Sequence, residues 1–257
     1  MHIDAALHVS TLYAFALVLA RVSGVFVFLP VPGLTSGPAI SRVVLSLVTT
    51  FSLFSRWPEM AAAPADIGVF TGWLIAEVGF GLSIGLAVSF LMEAFFMAAQ
   101  LISVQAGFSY ASTIDPTTQA DSTVLIVMAQ LMAGLLFFAT GLDRQVLVIL
   151  ANSLDSAPPG VFALTRPHAE ALLMMGTHIF STGLRLVLPI MTLLLLVDLS
   201  LGMLGRLNAQ LQIFSLALPL KTLASLSLLS GSVLMFPRVF SQLSTVIFGA
   251  LQRLLGT

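Results

Sequence analysis

Three observations predict an all-α membrane protein made of long apolar helices. Charge is nearly absent, the apolar runs reach or exceed the length of a membrane span, and no two-residue alternation marks strands. Of the 257 residues, 58% are hydrophobic and only 8% are charged, whereas soluble domains carry roughly 25% charged residues. A water-facing surface cannot be built from that inventory, and the mean hydropathy of +1.06 agrees. Backbone N–H and C=O groups in lipid have to be satisfied within their own segment, which leaves helices as the structure for such runs. The 10 basic and 11 acidic residues give a formal charge of −1, too weak a field for nucleic acid. Cysteine is absent, so disulfides and thiolate metal sites are excluded.

The first run, Leu12 to Leu29, stops at Pro30-Val31-Pro32-Gly33. Its start, Met1-His2-Ile3-Asp4, lacks the basic residues of a secretory signal, and Arg21 interrupts it, so it is expected to belong to the mature protein. Ala39 to Trp57 follows, closed by Pro58 and an Ala/Pro loop ending at Asp66. Ile67 to Leu101 is longer than the roughly 20 residues a span needs. A polar stretch, Ser109 to Thr123, separates it from Val124 to Thr140, and Gln145 to Leu150 reads as a continuation of that run beyond Asp143-Arg144. The clearest linker is Ser153 to Gly160, where Pro158-Pro159-Gly160 ends a helix. Two long arms, Ala169 to Leu204 and Leu211 to Leu255, flank Arg206-Leu207-Asn208-Ala209-Gln210. Basic residues are too few and too evenly spread to orient the chain by the positive-inside rule.

Arg21, Glu77, Glu93, Arg185, Asp198 and Lys221 fall inside apolar runs, and Arg206 sits at the bend between the last two arms. A charge near a bilayer centre costs at least about 2.5 kcal/mol. Each is therefore a candidate for an ion path or a contact with a partner subunit. The alternatives are a structural pair inside the bundle and a helix that lies outside the bilayer. Glu77 and Glu93 are sixteen residues apart, about 24 Å on one helix, and cannot act as a carboxylate pair. Gly81 and Gly85 form a GxxxG pattern within a run of small residues from Gly72 to Ser89. Such patterns let helix backbones approach closely, within the chain or against another subunit. The polar stretch opens with Gly107, Phe108, Ser109 and Tyr110 and contains Asp115-Pro116. HExxH, GxSxG and Walker patterns are absent, and His2, His8, His168 and His178 have no metal-ligand spacing. Catalytic residues, metal sites and cofactors are therefore not expected.

The order of segments resembles the FliR family of flagellar export proteins. Arg21-Val22-Ser23-Gly24 with Pro30 and Gly33 looks like that family's opening, and Gln105-Ala106-Gly107-Phe108-Ser109 with Asp115-Pro116 its central loop. Asn152-Ser153 before Pro158-Pro159-Gly160 is similar to its mid-chain break. The most specific likeness runs from Pro189 through Gly202, Arg206, Gln210, Phe214 and Pro219 to Lys221. Departures are Ala209, where the family usually has proline, and Ala217-Leu218, where it usually has glycine and an aromatic.

The resemblance implies a subunit of the flagellar type III export gate in the bacterial inner membrane and flagellar basal body. FliP and FliQ homologues would be its direct partners, FlhB and FlhA further ones, and unfolded flagellar proteins the cargo. It implies helical hairpins arranged as a fusion of a FliP-like part (1–165, with the 107–123 loop) and a FliQ-like hairpin (166–257). It also places a pore plug at Gly107, Phe108, Ser109, Tyr110, Asp115 and Pro116. The related injectisome subunits share this architecture. The competing class is a small-solute secondary transporter, with Arg21, Glu77, Glu93 and Asp198 lining a midplane site and helices broken at Pro30 and Pro189.

Overall fold

Among the described residues, the long apolar runs are helical. The computed structural model describes residues 9–29, 38–58, 66–108, 124–160, 166–207 and 213–255. Among them are eight α-helices: α1 (Val9–Phe28), α2 (Ala39–Ser52), α3 (Ile67–Ala106), α4 (Val124–Ala139), α5 (Leu142–Ser156), α6 (Arg166–Leu207), α7 (Ile213–Ser232) and α8 (Phe236–Leu255). Short 3-10 turns, Phe54–Arg56 and Val233–Met235, follow α2 and α7. The described residues contain no strand. Among the described residues, three single helices are long and apolar enough to cross a membrane: Ser10–Phe28, Ile67–Ala106 and Leu173–Arg206.

Helix breaks differ from the sequence reading at two points. The run Val124 to Leu150 is bent by 61° between α4 and α5. Gly141 adopts φ +70° there, a left-handed conformation that glycine takes without a Cβ penalty. Asp143 stands in the first turn of α5, where a negative charge suits the helix dipole. The last arm is bent by 65° between α7 and α8, with Pro237 in the first turn of α8, a position that needs no N–H donor. Pro189, in contrast, lies inside an unbroken α6.

The chain divides into two compact units, Met1–Phe90 with Phe137–Gly176 and Ser244–Thr257, and Leu91–Leu136 with Thr177–Leu243. In the first, α1 and the first half of α3 meet backbone to backbone. A Cβ on Gly81 would lie 1.9 Å from the Arg21 carbonyl oxygen, and one on Gly85 2.5 Å from that of Val25. Only glycine permits that approach. The small-residue pattern thus serves packing within the chain. Helix α2 packs on α1 with its polar side inward: Ser46 and Thr50 are buried, their hydroxyls donating to the carbonyls of Arg42 and Ser46 at 2.7 Å. Its apolar side chains Ile40, Val43, Val48 and Phe51 are exposed.

In the second unit the core gathers Ala98, Ile102 and Ala106 of α3, Leu125 of α4, and Val187, Ile190 and Leu194 of α6. Phe95 packs its ring against Phe236 and Phe240 at the start of α8.

Candidate functional site

Two polar nodes built around charges stand out among the described residues, one in each unit. The first surrounds Arg21, fully buried in α1 beside the glycine contact with α3. Its Nε donates to Glu77 Oε2 at 2.6 Å. Its Nη1 donates to the Ser153 carbonyl at 2.8 Å and the Ser153 hydroxyl at 3.2 Å, and its Nη2 to the Ala157 carbonyl at 2.9 Å. The guanidinium also lies 4.2 Å from the centre of the Phe80 ring, a cation–π geometry. The other Glu77 oxygen accepts the Gly160 N–H at 3.0 Å.

This arrangement follows from the chemistry of helix ends. The Ser153 carbonyl, in the last turn of α5, takes the Ala157 N–H at 3.0 Å and has a second lone pair for Arg21, and the Ala157 carbonyl lies just past the helix; a cation is the group best suited to that end of the dipole. Arg21 supplies it, Glu77 neutralises it, and the spare carboxylate oxygen holds the Pro158-Pro159-Gly160 turn, where Gly160 has φ +92°. Sequence reasoning singled out Arg21 and Glu77 separately. It gave no role to Ser153 or Gly160, whose signal was the Asn152-Ser153 and Pro-Pro-Gly pattern itself.

The second node lies where α3 ends. Asp198 of α6 pairs with Lys221 of α7 and accepts from Gln105 Nε2 at 3.1 Å. Two residues on, Gly107 has φ +85°. Its N–H bonds to the Val104 carbonyl at 3.2 Å, and the Phe108 N–H to that of Ser103 at 3.0 Å. That pair of bonds is a Schellman cap, which closes a helix through a left-handed glycine. The Phe108 side chain packs on the core cluster of its own unit. Helix α3 therefore delivers the polar stretch from a fixed point. Ser109, Tyr110, Asp115 and Pro116 lie outside the described residues.

The remaining charges behave differently. Glu93, Arg185 and Arg206 are exposed, and none has a side-chain ion pair among the described residues. Arg56, not singled out from the sequence, makes an exposed pair with Asp155 at 2.7 Å. An apolar cavity of about 620 Å³ opens in the second unit among Phe95, Ile102, Leu125, Met128, Ile190 and Leu226, with Ser230 the one polar residue among the described lining. No three acidic or histidine side chains converge among the described residues. Arg21, Glu77, Asp198 and Lys221 are each consumed by partners at their own node.

Residues 12–246 match the family model described as bacterial export proteins, family 1. The chain belongs to that family. Curated relatives bear the name flagellar biosynthetic protein FliR. The one from Escherichia coli K12 is 29% identical, over 91% of this chain and 89% of its own length. The one from Caulobacter vibrioides is 28% identical over 86% and 88%, and the one from Bacillus subtilis 29% over 84% of each. As a member of the bacterial export proteins, the chain is membrane-embedded. Some of the residues that carry the resemblance sort onto the two nodes. Arg21, Gly24, Ser153 and Gly160 meet at the first; Gln105, Gly107 and Lys221 meet at the second.

Proposed function

We propose that this chain is a subunit of the flagellar type III protein export gate in the bacterial inner membrane, at the flagellar basal body, helping to form and close the pore for unfolded flagellar proteins. The observation that carries it is the family match over 12–246, with near full-length relatives named for flagellar biosynthesis. FliP and FliQ homologues are its partners in a hetero-oligomer, with FlhB and FlhA further out. Residues 1–165 form the FliP-like part and 166–257 the FliQ-like hairpin. Residues Gly107 to Thr123 are the plug, and Glu93, exposed in the middle of α3, is an inter-subunit contact.

The physical support for the plug is its anchorage. A movable closure needs a rigid base, and the Schellman cap, the Phe108 contact and the Asp198–Lys221–Gln105 node provide one. Deleting the chain from its own bacterium should abolish secretion of flagellar subunits and the filament. Normal filaments without it would overturn the proposal.

A further inference from the structure

The apolar stretch of α6, Leu173–Arg206, has 34 residues, or about 51 Å of helix, against a hydrocarbon layer about 30 Å thick. Lipid can cover only part of it. Arg185 and Arg206 delimit a segment of the right length. Both are exposed, and neither side chain has a partner among the described residues. They are twenty-one residues apart, about 31 Å along the axis. The only charge between them is Asp198, which is neutralised by Lys221 within the unit. At about 100° per residue, Arg206 lies about 60° from Arg185 around the helix. Leu188, Leu196, Leu199 and Met203, all exposed, fall in or beside the same arc. One helix face thus reads cation, apolar stripe, cation.

Backbone chemistry marks the Arg185 boundary as well. Pro189 has no N–H, so the Arg185 carbonyl lacks its helix donor. An orphan carbonyl is costly in hydrocarbon and easily satisfied by water in the headgroup layer.

We propose that the α6 face between Arg185 and Arg206 is lipid-facing, with each guanidinium bound to phospholipid phosphates, one in each leaflet. Arginine's planar fork matches phosphate in two parallel hydrogen bonds, and the leucine stripe matches the acyl chains between. The assignment rests on membrane embedding alone, so it and the export reading can fail separately.

The chain has no cysteine, which allows one fluorescent label at a time on Leu188→Cys, Leu196→Cys or Met203→Cys. The full chain, with the subunits that co-purify, is placed in vesicles of phosphatidylcholine and phosphatidylglycerol. Nitroxide lipids labelled deep in the acyl chain should quench the Leu196→Cys label several-fold more than headgroup-labelled ones. The order should reverse at Leu188→Cys and Met203→Cys. Arg185→Gln with Arg206→Gln should blur that depth profile while the complex still assembles. A Leu196→Cys label reached by neither lipid nitroxides nor aqueous iodide would mean that a partner subunit covers this face. One quenched by iodide would mean that water does. Either result overturns the proposal.

Discussion

Removing half of the Arg21–Glu77 pair and removing both halves are different perturbations. Both side chains are fully buried. Arg21→Met leaves the Glu77 carboxylate without its cation and the Ala157 carbonyl without its Arg21 donor, while the Ser153 carbonyl keeps the Ala157 N–H, a loss of about 3–5 kcal/mol by the usual cost of a stranded buried charge. Arg21→Met with Glu77→Leu removes the stranded charge and leaves only neutral backbone groups unsatisfied, each about 1–3 kcal/mol. The double variant should therefore survive heating in detergent better than Arg21→Met alone. If it is no better, the hydrogen bonds to α5 outweigh the charge pairing. The glycines of α3 offer a second comparison within one helix. Gly81→Ala drives a methyl into the Arg21 carbonyl, whereas at Gly72 nothing lies within 4 Å. Gly72→Ala should be neutral or stabilising by up to about 1 kcal/mol. Gly81→Ala should lower the melting temperature, and an unchanged value would mean that α1 and α3 part without cost.

At the level of elements, the long apolar runs and their Pro/Gly-marked ends were legible, and the bends inside two of the runs were not. Helices α3 and α6 follow directly from run length, because lipid leaves the backbone no other partner. The bend at Gly141 escaped because a glycine inside an apolar run states nothing about its φ until neighbours fix it. Pro237 was a readable stop that a run-length argument passed over. Pro189 does not break the single arm read from Ala169 to Leu204, since a proline removes one hydrogen bond without breaking a helix that is held elsewhere, and the break the transporter alternative used is not there. Node partners were invisible for a different reason. Arg21 and Ser153 are 132 residues apart, and no local pattern joins them. The end of α3 carries a test of the plug. Because Gly107 and Phe108 are tied to their own unit, deleting residues within 109–118 should leave assembly intact. It should also raise the ion conductance of proteoliposomes bearing the complex. Unchanged conductance, with assembly verified, would reduce the segment to an ordinary loop.

For the whole molecule, the decisive quantity is apolar surface that neither lipid nor the chain itself can cover. The fold class was evident from composition, but composition could not say where that surface lies. Helix α3 has 40 residues, about 60 Å, and shows Ile67 and Ile75 near one end and Val104 near the other as exposed side chains. In α6, Leu173, Met174 and Phe180 are exposed before Arg185. If the hydrocarbon layer begins near Arg185, they stand outside it. Helix α2 adds an outward apolar face on 14 residues, about 21 Å, too short to span. Patches of this kind on a soluble surface mark interaction sites, so partner subunits have to cover them. Expressed alone in detergent, the chain should aggregate or be degraded; expressed with its partner subunits, it should give one defined complex. Phe180→Asp should reduce the yield of that complex, because a carboxylate in a protein-covered apolar contact lacks a partner. Leu173→Ser, a milder change on the same stretch, separates failed folding from failed association. A monodisperse, well-folded product of the chain alone would contradict this account, as would Phe180→Asp complexes recovered at the unmodified yield.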